Sequence, residues 1–146
     1  MKLIAIAGID GCGKSTQIGM LSSWLTKNNH LVKITKAYDN EAKIVLRGYV
    51  NNWTNNNAIM FLFQALHAQQ YTDASEALKS GKVVLADRWD ESYLAYHSSF
   101  GELSADEDLR SKLNQLAFKG LIPDLGFLLK ISPEVARERR RLRGHS

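Results

Sequence analysis

The segment Gly8-Ile9-Asp10-Gly11-Cys12-Gly13-Lys14-Ser15-Thr16 places a glycine, four residues and then Gly-Lys-Ser between an apolar run and an amphipathic one. A chain of phosphates carries closely spaced negative charge, and backbone N–H groups reach it only where no side chain intervenes. Gly8, Gly11 and Gly13 permit that approach. Lys14 supplies a point charge for β- and γ-phosphates, Ser15 a hydroxyl for Mg²⁺, and the next helix its positive N-terminal end. The pattern predicts a nucleoside triphosphate site with the Lys14 side chain in a solvated anion pocket. A bare glycine-rich segment would be a flexible turn. Here Lys2-Leu3-Ile4-Ala5-Ile6-Ala7 reads as a buried strand ahead of it, and Ile18, Leu21 and Leu25 recur at helical spacing behind it.

Asp87-Arg88-Trp89 is the second chemical signal, directly after the apolar run Val83-Val84-Leu85-Ala86. A carboxylate at such a strand end can hold Mg²⁺ or its waters, and a guanidinium can grip a phosphoryl group with two parallel hydrogen bonds. The plain alternative is a surface ion pair capping the strand. If a helical turn begins early, Arg88, Ser92 and Tyr96 share a face that can contact a small ligand, although Tyr96 suits half-buried packing equally well. Phe63 and His67 are also four apart. Their first reading is core packing, and the alternative is a stacked base with one hydrogen bond to its edge.

Strands are expected near 2–7, 31–36, 82–86 and 125–131, and helices near 14–28, 57–79, 91–98, 106–119 and 133–143. Alternating strands and helices give an α/β chain with a parallel sheet covered on both faces. Ser132-Pro133 reads as an N-cap followed by proline at the first helical position, and the asparagine-rich stretch 51–57 as a loop or capping segment. Open sheets of this kind bind ligands beyond the carboxyl ends of their strands, which singles out Gly8–Ser15, Lys36–Asp39, Asp87–Trp89 and the turn into the arginines.

The 146 residues suit one domain, and their net charge of +4 is matched by residues 137–143, which hold five arginines and Glu138. The plain reading of that cluster is a solvated basic helix end; the functional one is charge neutralisation on a moving phosphoryl group. No twenty-residue apolar run and no signal peptide is visible, so a soluble, cytoplasmic protein is expected, with no membrane or nucleic-acid partner. Cys12, alone of its kind, fits a small filler inside the loop.

Asp10 to Gln17, Asp87-Arg88-Trp89 with Ser92 and Ala95-Tyr96 beyond, Pro123-Asp124-Leu125, Ser132-Pro133-Glu134-Val135-Ala136 and Arg139-x-Arg141-x-Arg143-Gly144 together resemble the thymidylate kinases. These are P-loop nucleoside monophosphate kinases, and the resemblance covers the whole chain. It implies a P-loop NTPase three-layer αβα sandwich with four parallel strands in the order 2-3-1-4. The lid would begin near 137–146, with a C-terminal part missing. It further implies that ATP and Mg²⁺ bind at Gly8 and Asp10 to Thr16, with Ser15 and Asp87 on the metal. Lys14, Arg88 and the lid arginines Arg139, Arg141 and Arg143 would be catalytic. Asp10 would meet the deoxyribose 3′-hydroxyl, Phe63 would stack on the base, and Ser92 and Tyr96 would line its pocket. Gly11 stands where one branch of the family carries a loop arginine, so the chain resembles the lid-arginine branch.

The chain departs from the family pattern at Ala7, usually glutamate, and at Lys36-Ala37-Tyr38, usually Arg-Glu-Pro. The monophosphate clamp would then rest on Lys36 or Arg47. His67 replaces the base-reading arginine. The expected activity is transfer of the γ-phosphoryl group of ATP to a deoxynucleoside monophosphate, dTMP foremost, by a homodimer built on the helices near 57–79 and 106–119. The alternatives are a deoxynucleoside kinase, which would need a base such as Asp39 or Glu41, and a nucleotide-binding protein without turnover.

Overall fold

The computed structural model describes residues 1–37, 46, 48–92, 106–142 and 144. Its elements are β1 (Leu3–Gly8), α1 (Lys14–Lys27), β2 (Val32–Lys36), α2 (Asn56–Lys79), β3 (Val83–Asp87), α3 (Glu107–Phe118), β4 (Leu125–Leu129) and α4 (Pro133–Leu142). The four strands form one parallel sheet in the order β2-β3-β1-β4, as expected. The helix expected near 91–98 lies outside the described residues beyond Ser92.

β1 and β3, the two central strands, are nearly continuous apolar runs because both faces of the sheet are covered there, whereas β2 carries Lys33 and Lys36 and β4, expected to be doubly buried, is largely exposed. Leu3 and Ala5 of β1 point to one side, joining Ala74 and Ala77 of α2, Val84 and Ala86 of β3, Trp89, and Ala117 and Phe118 of α3. Ile4 and Ile6 point to the other, against Ile18 and Leu25 of α1 and Leu85. This alternation produces the three layers. At the β4 edge, Leu125, Phe127 and Leu128 remain exposed.

Local chemistry sets the helix starts. The Asn55 side chain accepts the Ala58 N–H at 3.1 Å, so the asparagine-rich stretch does cap α2. Asp106 accepts from Leu109 N–H at 2.9 Å and caps α3. Ser132 Oγ accepts from Val135 N–H at 3.3 Å ahead of Pro133. α1 differs: Gly13 adopts φ 100° and no side chain caps the helix, which leaves first-turn N–H groups for a ligand.

Register then aligns the strand ends. Asp87 pairs with Ile6 on one side and Lys36 on the other, while Gly8 pairs with Leu129. The residues following β1, β2, β3 and β4 therefore converge on one edge of the sheet.

Candidate active site

The loop after β1 closes so tightly that its glycines are obligatory. A Cβ at Gly8 would stand 2.6 Å from Cys12 Sγ and 2.7 Å from the Leu129 carbonyl oxygen. At Gly11, with φ 91°, it would meet the Ala136 carbonyl oxygen of α4 at 2.7 Å. The absent loop arginine thus has a steric counterpart: α4 occupies the space that a side chain at Gly11 would need.

Lys14 corrects one expectation. Its side chain is buried rather than solvated, at 8% exposure. The ammonium donates to the carbonyl oxygens of Gly8 at 2.9 Å and Ile9 at 3.2 Å, and lies 3.7 Å from Asp10 Oδ1. A short cationic group held by backbone oxygens at the loop's centre is placed to exchange those contacts for phosphate oxygens.

Asp10 joins the loop to the end of β3. Arg88 Nη2 donates to Asp10 Oδ1 at 2.6 Å, with most of the Arg88 side chain shielded and Asp10 open to solvent. Arg88 has φ 71°, a left-handed backbone that non-glycine residues seldom adopt. Two contacts impose it: Arg88 N–H donates to the Ile6 carbonyl at 3.0 Å, and Gln70 Nε2 donates to the Arg88 carbonyl at 2.9 Å. Gln70 is only 1% exposed, and sequence reasoning missed it. The available signal was a glutamine recurring within the apolar face of α2.

Trp89 anchors the same turn. It is fully buried, its indole N–H donates to the Leu121 carbonyl at 3.1 Å, and its ring centroid lies 4.8 Å from that of Phe118. The Trp89 N–H donates to Glu91 Oε1 at 3.0 Å. Burial raises the Glu91 pKa above its ordinary value, opposed by hydrogen bonds from the Glu91 and Trp89 backbone. Ser92 is buried beside this turn.

Asp87 Oδ1 is buried without a hydrogen-bond partner among the described residues. An orphaned carboxylate oxygen at the carboxyl end of the interior strand β3, together with the exposed Ser15 hydroxyl, suits a hard divalent ion that keeps several waters and takes its other ligands from phosphates.

Lys36 is exposed at the end of β2. Phe63 is half-buried on α2. His67 is buried, with its ring 5.4 Å from that of Phe118 and Nδ1 3.4 Å from Gln70 Oε1. Arg47, Tyr96 and Arg143 lie outside the described residues, as do Asp39 and Glu41. In α4, Arg139 Nη1 reaches the Gly11 carbonyl at 3.5 Å, and Arg141 donates twice to Glu138, at 3.0 and 2.8 Å. Ser15 and Thr16 open onto a groove of about 600 Å³ along α1 that continues past Met20 and Trp24 to Lys27. A cleft of about 330 Å³ separates the loop at Ile9 and Asp10 from Pro133, Ala136, Arg137 and Arg140 of α4.

The thymidylate kinase family model matches residues 6–146. The chain belongs to the thymidylate kinase family. Thymidylate kinases of Prochlorococcus marinus strains MIT 9312 and MIT 9303 are 36% and 35% identical to it, over 96% and 99% of this chain and 71% of each relative. The thymidylate kinase of Pelobacter propionicus is 35% identical over 96% of the chain and 66% of its own length. The crystal structure of thymidylate kinase from Ehrlichia chaffeensis superposes with a TM-score of 0.73 at 22% identity, covering 99% of this chain and 89% of that one, and shares the fold.

Proposed function

We propose that this chain is a thymidylate kinase that transfers the γ-phosphoryl group of ATP to dTMP, giving dTDP. The observation that carries the reading is the convergence of Lys14, Asp10 and Arg88: two cations from separate strand ends meet at one carboxylate. Membership of the family supports the acceptor.

A monophosphate oxygen is already a competent nucleophile, so the protein needs no general base. Its work is to align donor and acceptor and to stabilise charge on the moving group. Uncapped N–H groups at the start of α1 and the Lys14 ammonium receive the donor's phosphates, and Arg88 bridges toward the acceptor. Asp10, held by Arg88, is oriented for the sugar 3′-hydroxyl. Phe63 offers a ring to the base, and the cation for the monophosphate is Lys36 or Arg47. Ser15 and Asp87 would hold Mg²⁺, which when bound would offset the negative charge of the donor's phosphates. The protein acts in the cytoplasm as a homodimer built on α2 and α3. Among the described residues no helix is long and apolar enough to cross a membrane.

The test is acceptor choice with Mg²⁺-ATP as donor. ADP release is expected with dTMP and not with thymidine. Release with thymidine alone would mark a deoxynucleoside kinase, and ATP binding without release for either acceptor a protein that has lost turnover.

A further inference from the structure

His67, Gln70, Ala74 and Ala77 are all buried, and at i, i+3, i+7 and i+10 they form one face of α2. The first two are polar. A buried imidazole and a buried amide are tolerated in an apolar stripe where each meets a partner. Gln70 Oε1 lies 3.4 Å from His67 Nδ1, while Gln70 Nε2 donates to the Arg88 carbonyl at 2.9 Å. The two ends of one amide therefore join the imidazole to the turn that carries Arg88.

Hydrogen-bond chemistry gives these contacts a direction. A carbonyl can only accept, so the Gln70 amide must present its NH₂ group to Arg88, which leaves its oxygen toward His67. That oxygen needs a donor, and the imidazole supplies one there only when Nδ1 carries a proton. Gln70 is 1% exposed, so bulk water is not at hand to replace either partner. Phe118 fixes the ring: its centroid lies 5.4 Å from that of His67 and 4.8 Å from that of Trp89, the residue after Arg88. An apolar contact and a polar one thus tie His67 to the same turn.

We propose that His67 is a positioning residue for Arg88. Its Nδ1–H donates to Gln70 Oε1 and locks the amide in the orientation that holds Arg88 at φ 71°, with the guanidinium on Asp10. The role rests on the reading of Arg88 as the group that bridges toward the acceptor's phosphate. Because it acts through the Arg88 backbone, it should raise turnover to the same extent whatever base the acceptor carries.

The experiment compares the full chain with three substitutions at this one position. His67→Asn keeps an N–H where Nδ1 stands, His67→Gln moves it outward to where Nε2 stands, and His67→Phe keeps only a ring. With saturating Mg²⁺-ATP and either dTMP or dUMP as acceptor, His67→Phe and His67→Gln should each lower kcat about fivefold to tenfold. The factor should be the same for both acceptors, with KM nearly unchanged, and His67→Asn should recover most of the loss. Adding His67→Phe to Gln70→Leu should lower kcat no further than Gln70→Leu alone. Nitrogen-15 spectra of the wild-type imidazole, assigned by the signal lost in His67→Asn, should show a proton on Nδ1. Equal kcat in all three His67 variants, a loss carried by KM for one acceptor, or additive losses in the double variant would overturn the positioning role. A bare Nδ1 would overturn it whether or not the chain turns over. A wild-type chain with Nδ1 protonated and no dTMP-dependent turnover would keep the contact and overturn the kinase reading instead.

Discussion

Gln70, buried in the middle of α2, donates to the carbonyl of Arg88, the residue whose own guanidinium grips Asp10 across the strand ends. A helix residue thus holds a strained backbone in the one conformation that aims a guanidinium at the phosphate loop.

Gln70→Leu should therefore damage both stability and catalysis. The Arg88 carbonyl would lose its partner in a buried setting, at a cost of about 1–3 kcal/mol. Arg88 would also be freer to leave φ 71°. Urea unfolding should register the first effect. The second should appear as a fall in kcat larger than the change in KM for ATP; a stability loss with unchanged kcat would show that Arg88 keeps its aim without Gln70.

Gly11→Ala tests the packing of α4 on the loop. The new Cβ would lie 2.7 Å from the Ala136 carbonyl oxygen and require a left-handed backbone. The strain of that backbone alone costs about 1–3 kcal/mol, so a lower melting temperature and a marked fall in kcat are expected. Wild-type activity in this variant would show that α4 can withdraw from Gly11 at no cost to turnover.

Most of the fold was legible because both faces of the sheet demand apolar runs, and the phosphate loop needs glycine at fixed positions. The strand boundaries differ from expectation by a residue or two, as at β4, which ends at Leu129 where Lys130 and Ile131 turn toward the Ser132 cap. Side-chain direction was less legible. The face of α4 turned to the loop is decided by Ala136 packing on Gly11, a tertiary contact with no local signature. Lys14 was expected in a solvated anion site; three loop oxygens near its ammonium explain its burial instead.

Two carboxylates should give stability opposite dependences on pH. Burial raises the Glu91 pKa above 4.5, so the folded state favours its neutral form, and that contribution is lost as pH rises through the folded value. Glu91→Gln should melt higher than wild type at neutral pH, with the difference shrinking in acid. The hydrogen bonds from Lys2 and from the Leu3 N–H lower the Asp124 pKa below 3.8, so its contribution is present above that value and lost as pH falls. Asp124→Asn should melt lower at neutral pH, and this gap should also close in acid. Melting curves between neutral and strongly acidic pH check both signs; a lower melting temperature for Glu91→Gln at neutral pH would contradict the burial argument.

Base selectivity should be modest. His67, where the family carries arginine, is packed on Phe118 and beside Gln70, so the pocket gains no forked donor from this position. A preference in kcat/KM for dTMP over dCMP or dGMP of less than about a thousandfold is expected, since discrimination comes from polar groups that a wrong base leaves unpaired. A larger ratio would place the reading of the base on other residues.

The central claim is that the loop around Lys14 binds the donor triphosphate and stabilises transfer to dTMP. The most direct measurement is dTMP-dependent ADP formation from Mg²⁺-ATP by the wild-type chain and by Lys14→Ala at equal folded concentration. Turnover in the wild type, with kcat lowered by a hundredfold or more in the variant (on the order of 3 kcal/mol of transition-state stabilisation), is the predicted result. Equal turnover in both, with dTMP required in each, would contradict the account.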